Sequence, residues 1–418
     1  MKIDFLNVVS LKKATNIVKG LTNEYTRYQD MYINESLVNS LGKIVYETIL
    51  SNIEIPEYNR STVDGYAIRV SDIQGAADSS PGILRIIGEV TMGNIPNMEL
   101  IEGTCIYVPT GGAIPKGSDS MVMIEDTQKL DEETLLIYKQ VKYGMHISYR
   151  GDDIKKGDIL IQAGKKITPY DIALLSGAGI SKIKVTKEPI FTVLSTGDEI
   201  ADLNDVCKVG MVRDINGYGI SAWISENGGK VKRKEIIKDN FNSLQETLEK
   251  SLEDSDFIVL SGGSSLGIRD YTKSLIESFS DGKVIFHGLD VQPGKPTLVG
   301  LIGKKIIFGL PGHPAAALLI CQKLVGAAME KWFQIEQEKL LIEAIITENI
   351  HGTPGRDKFQ MVKITRDNNQ YIAKPIYGKS ALISTLVQAT GWIKISKEME
   401  GVFSGDKVFV ELLQEVRY

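Results

Sequence analysis

The sequence is poor in cysteine, the residue from which disulfide frameworks and many zinc sites are built. Its 418 residues include three cysteines, Cys105, Cys207 and Cys321, which lie far apart and form no Cys-x-x-Cys pair. An odd, widely spaced set of this kind excludes a disulfide scaffold and a cysteine-based zinc site.

An excess of charge of one sign is also absent. Lys and Arg number 48 and Asp and Glu number 53, which gives a net charge of −5. The basic run from Lys230 to Lys234 is short, and no Lys/Arg cluster is interleaved with aromatic residues. Proteins that bind nucleic acid usually carry such a cluster, so the composition argues against a nucleic-acid partner.

Long hydrophobic runs are missing as well. The longest apolar stretch, Ala315 to Cys321, is followed by Gln322 and Lys323, and the first thirteen residues include three lysines. The sequence therefore predicts neither a signal peptide nor a membrane span, and the expected location is the cytoplasm.

What the chain does contain is enough apolar material for several cores. Hydrophobic residues make up 43% and charged residues 24%, and a chain of this length usually forms two to four domains. Changes along the chain in the spacing of apolar residues, and in the Gly, Pro and Asp residues between apolar runs, predict an α/β multidomain protein. The predicted domains are a helical or mixed connector at 1–52 and 142–187, a β-rich insertion at 53–141, an α/β domain at 188–334, and a small C-terminal β-barrel at 335–418.

Alternating strands and helices run from Pro189 to about Phe333. This alternation predicts a doubly wound, mostly parallel sheet. Residues 10 to 50 show helical spacing, with Ser10 as a cap and with Leu37, Leu41, Ile44 and Val45 on one face, which predicts helices there.

The segment from Ser261 to Asp270 follows an apolar run and precedes a helical pattern. Its glycines and serines suit a phosphate cradle, because glycine lets the backbone approach a ligand and a helix start offers free N–H groups. The same letters match the G-x-S-x-G nucleophile elbow with Ser265 as nucleophile. A plain strand-to-helix turn is the third interpretation.

Two further loops follow predicted strands of this domain, Ser195 to Glu199 and Gly309 to Pro314. Ligands bind at the carboxyl ends of parallel strands, so all three loops are candidates for one site. Asp198, Glu199 and Asp270 offer oxygen ligands suitable for Mg²⁺, although acids after glycine are also common in solvated turns.

Taken together, the motifs resemble the molybdopterin molybdenumtransferase family, the MoeA and gephyrin E-domain type. The motifs that carry the resemblance occur in the family's order over nearly the whole chain. They are Ser61–Arg69 (STVDGYAIR), Val108–Gly117 (VPTGGAIPKG), Arg150–Ile154 (RGDDI), Ser195–Glu199 (STGDE), Ser261–Gly267 (SGGSSLG) with Asp270, Pro293–Pro296 (PGKP) and Gly309–Pro314 (GLPGHP).

The resemblance implies a molybdopterin-binding α/β domain in a homodimer. It also implies transfer of molybdenum from molybdate to the dithiolene of adenylylated molybdopterin, with Mg²⁺-dependent release of AMP. A separate molybdopterin adenylyltransferase is an implied partner. Residues of the β-rich domain would complete the site across the dimer interface.

The resemblance also assigns roles to individual positions. The implied catalytic residues are Asp64, Thr110, Asp153, Glu199, Asp270 and Lys295, and the implied Mg²⁺ ligands are Asp198, Glu199 and Asp270. The implied cofactor-binding residues are Ser195, Thr196, Gly197, Gly262, Gly263, Ser264, Ser265, Pro293, Gly294, Pro311, Gly312, Pro314, Arg356 and Ser380.

Two positions depart from the family pattern. Gln292 stands where lysine is common, and Met361 stands where arginine is common, so two charges suited to an oxyanion are lost. This leaves two alternatives to a molybdenum insertase. One is a non-catalytic or tungstate-selective pterin-binding paralogue, and a more remote one is a serine hydrolase that pairs Ser265 with His287, His313 or His351.

Overall fold

The chain folds into two compact units, Asn34–Lys184 and Met1–Ile33 with Val185–Tyr418. The computed structural model describes residues 8–27, 30–262, 266–335, 340–367, 370–378 and 383–413, and of residues 266–270 it describes the backbone alone. The four predicted domains subdivide these units, and their boundaries stay predictions.

The first helix, α1 (Leu11–Thr26), begins where the sequence predicts it. The Ser10 side chain caps it by accepting a hydrogen bond from the Lys13 backbone N–H at 3.2 Å. Its buried residues are Ala14, Val18, Thr22 and Tyr25, which share one helical face. The prediction of a helix start at Ser10 is confirmed.

The predicted second helix through Leu37 to Val45 is wrong. A single 3₁₀ turn, Val38–Ser40, is all the helix that forms there. Gly42 has φ of 77°, in the left-handed region, which interrupts any helix at this point. The apolar residues therefore belong to a short loop in spite of their spacing.

The unit Asn34–Lys184 is built on one six-stranded sheet. Its elements are β1 (Tyr32–Ser36), β2 (Ile49–Leu50), β3 (Arg60–Ser61), β4 (Gly65–Ile68), β5 (Gly82–Glu89), β6 (Thr104–Val108), β7 (Ser120–Met123), β8 (Thr127–Lys129), β9 (Thr134–Ile137), β10 (Ile147–Ser148), β11 (Ile159–Ile161), α2 (Pro169–Gly177) and β12 (Lys182–Thr186). The sheet order is β7-β4-β6-β5-β9-β8. A β-rich segment here is confirmed.

Gly65, in the Asp-Gly-Tyr-Ala motif, is explained by packing within this sheet. It lies in β4, and a Cβ atom added to it would stand 1.9 Å from the carbonyl oxygen of Val122 on β7. Because the obstacle is backbone, no side-chain rotation would relieve it. This glycine therefore has a structural role that the motif alone does not reveal.

The α/β part of the second unit continues the chain. Its elements are β13 (Ile190–Thr196), β14 (Ile200–Ala201), β15 (Val212–Arg213), α3 (Ile215–Glu226), β16 (Lys230–Ile237), α4 (Phe241–Asp254), β17 (Phe257–Gly262), α5 (Leu266–Glu277), β18 (Gly282–His287), β19 (Val291–Gln292), β20 (Leu298–Ile302), β21 (Lys305–Leu310), α6 (Pro314–Ile320) and α7 (Gly326–Trp332). A π-helical turn, Cys321–Val325, joins α6 to α7.

The central sheet has the order β16-β13-β17-β21-β20-β18. The first four strands are parallel. β20 is antiparallel to β21, and β18 is antiparallel to β20, so only β20 runs against the other strands; the sequence analysis predicts neither β20 nor β18. Residues on β13, β17 and β21 alternate between the two faces. On one face of the sheet, Leu194 and Leu260 pack with α4 and α5. On the other face, the rings of Phe191 and Phe257 stack on each other, and Phe257 makes an edge-on contact with the Trp332 ring. Helices cover both faces, so the doubly wound prediction is confirmed.

A closed barrel forms the C-terminal region. Its elements are β22 (Leu341–Ile346), β23 (Ile350–His351), β24 (Asp357–Asp367), β25 (Gln370–Pro375), α8 (Ile383–Gln388), β26 (Gly391–Ile395), β27 (Gly401–Val402) and β28 (Lys407–Leu412). The order β24-β25-β22-β28-β26 closes on itself because β24 also pairs with β26. The predicted small β-barrel is confirmed.

None of the helices in the described part of the chain is long and apolar enough to cross a membrane.

Candidate functional site

Three predicted loops meet at one edge of the central sheet. Ser195 at the end of β13 is in register with Ser261 on β17, and Ser261 is in register with Leu310 on β21. Because these strands are parallel and aligned, the residues that follow them emerge side by side. The sequence-predicted loops are brought together for this reason.

A pocket of about 330 Å³ opens at this edge. Pockets of about this size and larger accommodate small-molecule ligands. It is lined by Ser195, Glu199, Ile200, Val212, Arg213, Asp214, Ile215, Asn216, Ser261, Gly262, Gly312, His313 and Pro314. Of the predicted residues, it contains Ser195, Glu199, Gly262, Gly312 and Pro314.

A buried carboxylate, Asp214, forms part of the pocket wall and caps α3. Its Oδ1 accepts hydrogen bonds from the Ser195 hydroxyl and from the Gly217 backbone N–H, each at 2.8 Å. Asp214 is 4% exposed and Ser195 is 1% exposed. The two side chains are thus fixed against each other at the pocket wall.

Asn216 links the end of β17 to the loop after β21 by hydrogen bonds. Its Nδ2 donates to the Ser261 hydroxyl oxygen and to the Gly312 carbonyl oxygen, each at 2.8 Å. One side chain on α3 therefore fixes the end of β17 relative to the loop after β21.

Three carboxylates cluster next to the pocket. The Asp239 backbone N–H donates to Asp198 Oδ1 at 3.3 Å, and Asp239 Oδ1 is buried with no hydrogen-bond partner among the described residues. Burial raises the pKa of Asp239, and the nearby charges of Asp198 and Glu199 raise it further. The repulsion between these groups marks a place that favours positive charge.

These carboxylates alone do not make a complete metal centre. Across the described residues, no group of three or more His, Cys, Asp or Glu side chains is arranged to hold a metal ion. Mg²⁺ commonly binds through only one or two carboxylates together with phosphate oxygens and waters. Such a partial set therefore fits a cation that arrives with a phosphate ligand.

Gly262 stands where no larger residue fits. A Cβ atom added to it would lie 1.7 Å from Thr196 Oγ1 on the neighbouring strand. Thr196 itself is buried. The glycine at this position lets β13 and β17 approach closely at the pocket edge.

Two predicted residues of the other unit also contact each other. The Thr110 backbone N–H donates to Asp64 Oδ1 at 2.9 Å, although 46 positions separate the two residues. Asp153 is exposed, and its backbone N–H is bonded to the Ile55 carbonyl oxygen. The structure thus joins Asp64 to Thr110.

The predicted Pro293–Pro296 turn lies beside the barrel. Gln292 pairs with Lys358 between β19 and β24, and its Oε1 accepts from the Thr353 hydroxyl at 2.5 Å. A Cβ on Gly294, where φ is 117°, would meet the Ile320 side chain at 2.6 Å. This segment, with Lys295, lies in the connection between the antiparallel strands β18 and β20, and it does not line the pocket described above.

Met361 and Arg356 differ in their surroundings. Met361 is 7% exposed and lies opposite Trp392 in the barrel wall. Arg356 is partly exposed at the start of β24. Val362 and Ile364 on the same strand belong to the barrel core, so the Met361 side chain lies on the opposite, outer face of the barrel wall, where it is buried.

Several predicted positions lie outside the described residues. They are Gly263, Ser264, Ser265, Ser380 and the side chain of Asp270. Of the remaining predicted residues, Thr196, Gly197, Asp198 and Pro311 lie next to pocket-lining positions in sequence.

Sequence reasoning missed Asp214, Asn216 and Asp239. β15 ends at Arg213 and α3 begins at Ile215, so Asp214 lies directly before a helix. An Asp at that position is a helix-cap signal that indicates Asp214. No sequence pattern indicates Asp239, because the carboxylates beside it, Asp198 and Glu199, lie about forty positions earlier in the chain.

The architecture is that of a multidomain α/β protein with a ligand pocket at the carboxyl edge of a doubly wound sheet. Comparisons with known families are consistent with this class. The MoeA N-terminal region (domain I and II) matches residues 9–179, the "Probable molybdopterin binding domain" matches residues 192–331, and the MoeA C-terminal region (domain IV) matches residues 343–413.

Relatives match over nearly the full length. A protein from Methanocaldococcus jannaschii is 30% identical over 417 residues, covering 98% of this chain and 99% of its own. A molybdopterin molybdenumtransferase from Staphylococcus epidermidis is 28% identical, covering 99% and 98%. The crystal structure of a molybdopterin biosynthesis MoeA protein from Pyrococcus horikoshii is 32% identical, with a TM-score of 0.86 and coverage of 98% and 100%. The chain belongs to the MoeA family of molybdopterin molybdenumtransferases.

Proposed function

We propose that this enzyme transfers molybdenum from molybdate to the dithiolene of adenylylated molybdopterin and releases AMP in a Mg²⁺-dependent step. The observation that carries the proposal is the pocket at the sheet edge, where hydroxyls, a close-packed glycine and a carboxylate cluster lie together. A phosphate ester of a heteroaromatic ring needs such a combination of donors and cation-binding groups.

The residues around the pocket supply binding and orientation. We assign phosphate contacts to the Ser195–Gly197 loop and to the loop that begins at Gly262. The missing Cβ of Gly262 lets β13 and β17 approach closely where these two loops begin. Pro311, Gly312 and Pro314 would form the opposite wall.

One or two of the carboxylates of Asp198, Glu199 and Asp239 would hold Mg²⁺, with Asp270, whose side chain lies outside the described residues, as a further ligand. The unpartnered Asp239 Oδ1 and the mutual repulsion of these carboxylates support the assignment. A bound Mg²⁺ would neutralise phosphate charge. Phosphate oxygens and waters would complete its coordination.

We assign molybdate, the oxyanion substrate, to the Pro293–Lys295 segment, which includes Gly294, together with Arg356 and Ser380. Gln292 and Met361 leave fewer positive charges here than the family pattern provides. Tungstate competition would therefore distinguish a molybdate-selective enzyme from one with altered anion choice.

The proposal also includes a homodimer and a separate adenylyltransferase that supplies the adenylylated pterin. Within it, Asp64, Thr110 and Asp153 are assigned to the same reaction. Light scattering of the purified chain measures its oligomeric state directly, and we expect the mass of a dimer.

The central test mixes purified protein with adenylylated molybdopterin, Mg²⁺ and molybdate, and measures released AMP. We expect AMP release that depends on Mg²⁺ and that falls strongly in Glu199→Gln. Asp205→Asn removes an exposed carboxylate from the following loop and serves as the matched control. No release above background would refute the proposal, and tight pterin binding without release would identify a non-catalytic paralogue.

A further inference from the structure

Lys358 lies beside the segment to which molybdate is assigned, although the sequence analysis does not single it out. β19 and β24 run parallel, and Gln292 is in register with Lys358. Neighbouring strands lie about 4.8 Å apart, and residues in register project their side chains from the same face of the sheet. Lys358 therefore places its charge next to the uncharged Gln292 side chain, which directly precedes Pro293.

The contacts of the two side chains show that they share this face. Gln292 Oε1 accepts from the Thr353 hydroxyl, and Lys358 Nζ donates to the His351 carbonyl oxygen at 2.8 Å. The Arg356 backbone N–H donates to the Thr353 carbonyl oxygen at 3.1 Å. The connection between β23 and β24 thus brings the Gln292 side chain, the Lys358 ammonium and Arg356 together.

Lys358 differs from nearby lysines because it has no acidic partner. Lys394 pairs with Asp357 at 2.7 Å and Lys397 pairs with Asp290 at 2.9 Å, so the acids at the starts of both strands are already paired. Among the residues that the structure describes, none forms an ion pair with Lys358. Burial lowers the pKa of the Lys358 ammonium, and a neutral carbonyl offsets that cost less than an anion would. A partly buried cation without a counter-charge therefore favours a bound anion.

We propose that Lys358 is an oxyanion-binding residue of this enzyme and that it supplies to molybdate the positive charge that Gln292 does not. Molybdate is a dianion at neutral pH. An ammonium that donates charge-assisted hydrogen bonds to its oxygens holds it more strongly than the neutral amide of Gln292 does. The inference rests on the proposed function, which assigns molybdate to the neighbouring Pro293–Lys295 segment and to Arg356, and it adds a residue to that assignment.

The variant Lys358→Gln separates anion binding from a purely structural bond to His351. Glutamine keeps an NH₂ donor for the His351 carbonyl oxygen but removes the charge. Calorimetric titration of the full chain with sodium molybdate, without pterin or Mg²⁺, gives a Kd. We expect Lys358→Gln to weaken molybdate binding roughly 10- to 100-fold, because a hydrogen bond from a charged group is lost. Lys363→Gln changes an exposed lysine on the same strand and should bind molybdate like the wild type.

A second variant moves the charge instead of removing it. Combining Gln292→Lys with Lys358→Gln transfers the ammonium from β24 to the position in register on β19. We expect the double variant to recover at least about tenfold in molybdate affinity relative to Lys358→Gln alone. Thermal unfolding of each variant checks that the fold is kept.

Three results would overturn the proposal. The first is molybdate binding that is undetectable in the wild-type chain, and the second is binding that is unchanged in Lys358→Gln, whatever happens to its unfolding temperature. The third is a loss of affinity that Gln292→Lys does not restore, because the charge would then not act at this place. AMP release is measured separately, so a failure here leaves the insertase proposal standing, and absent AMP release leaves the molybdate Kd values measurable.

Discussion

The close contact at Gly262 makes a quantitative prediction about the pocket edge. In Gly262→Ala the new Cβ would lie 1.7 Å from Thr196 Oγ1, and 3.0 Å from both Thr196 Cβ and the Thr196 carbonyl oxygen. Rotation of the threonine hydroxyl would relieve only the first of these contacts. The two remaining contacts involve atoms that move only if the strands separate.

The expected cost follows from these contacts. Inserting a methyl group into a packed site typically costs about 1–3 kcal/mol, and forcing a side chain off its rotamer adds about 0.5–1.5 kcal/mol. We expect Gly262→Ala to lower the free energy of unfolding by about 2–4 kcal/mol on these grounds. Weaker ligand binding should accompany it, because Gly262 lines the pocket.

Denaturant unfolding measures this cost, and a second substitution tests its cause. Thr196→Ala removes Oγ1, so the double variant should recover about 1–2 kcal/mol relative to the sum of the single changes. Gly20→Ala is the matched control, because Gly20 lies in α1 with nothing within 4 Å of the added Cβ. It should be neutral or stabilise the protein by up to about 1 kcal/mol.

An unchanged unfolding free energy in Gly262→Ala would refute this reasoning. Purely additive effects in the double variant would show that Thr196 Oγ1 is not the obstacle.

Four further outcomes are expected. Gly282→Ala should destabilise the protein by at least about 2 kcal/mol in thermal unfolding, because the added Cβ would lie 1.7 Å from the backbone oxygen of Ile276. A thiol reagent should label one cysteine in the native protein, the exposed Cys207, and three in denaturant. Burial raises the pKa of the Cys105 thiol from 9.0 to about 12, so the folded state keeps a proton that the unfolded state loses, and unfolding experiments should show stability falling as pH rises above 9.0. Asp239→Asn should raise the unfolding temperature without Mg²⁺ and reduce the increase caused by Mg²⁺, since it removes one of three repelling carboxylates.

Much of the fold was predictable because it depends on local periodicity. The alternation after Pro189 predicted the doubly wound sheet, and parallel strands necessarily bring Ser195, Gly262 and Gly312 to one edge. The same reasoning failed at Leu37 to Val45, where helical spacing of apolar residues was overridden by the turn at Gly42.

The sequence by itself determined the order of strands and helices, the glycines at their ends, and the family motifs that follow from them. Only the tertiary structure decided which polar atoms at the pocket are paired by hydrogen bonds and with which partners. Asn216 shows why, because its amide is oriented by Gly312, 96 positions further along the chain. Hydrogen bonding depends on distances of a few tenths of an ångström between such remote groups, and no local pattern encodes them.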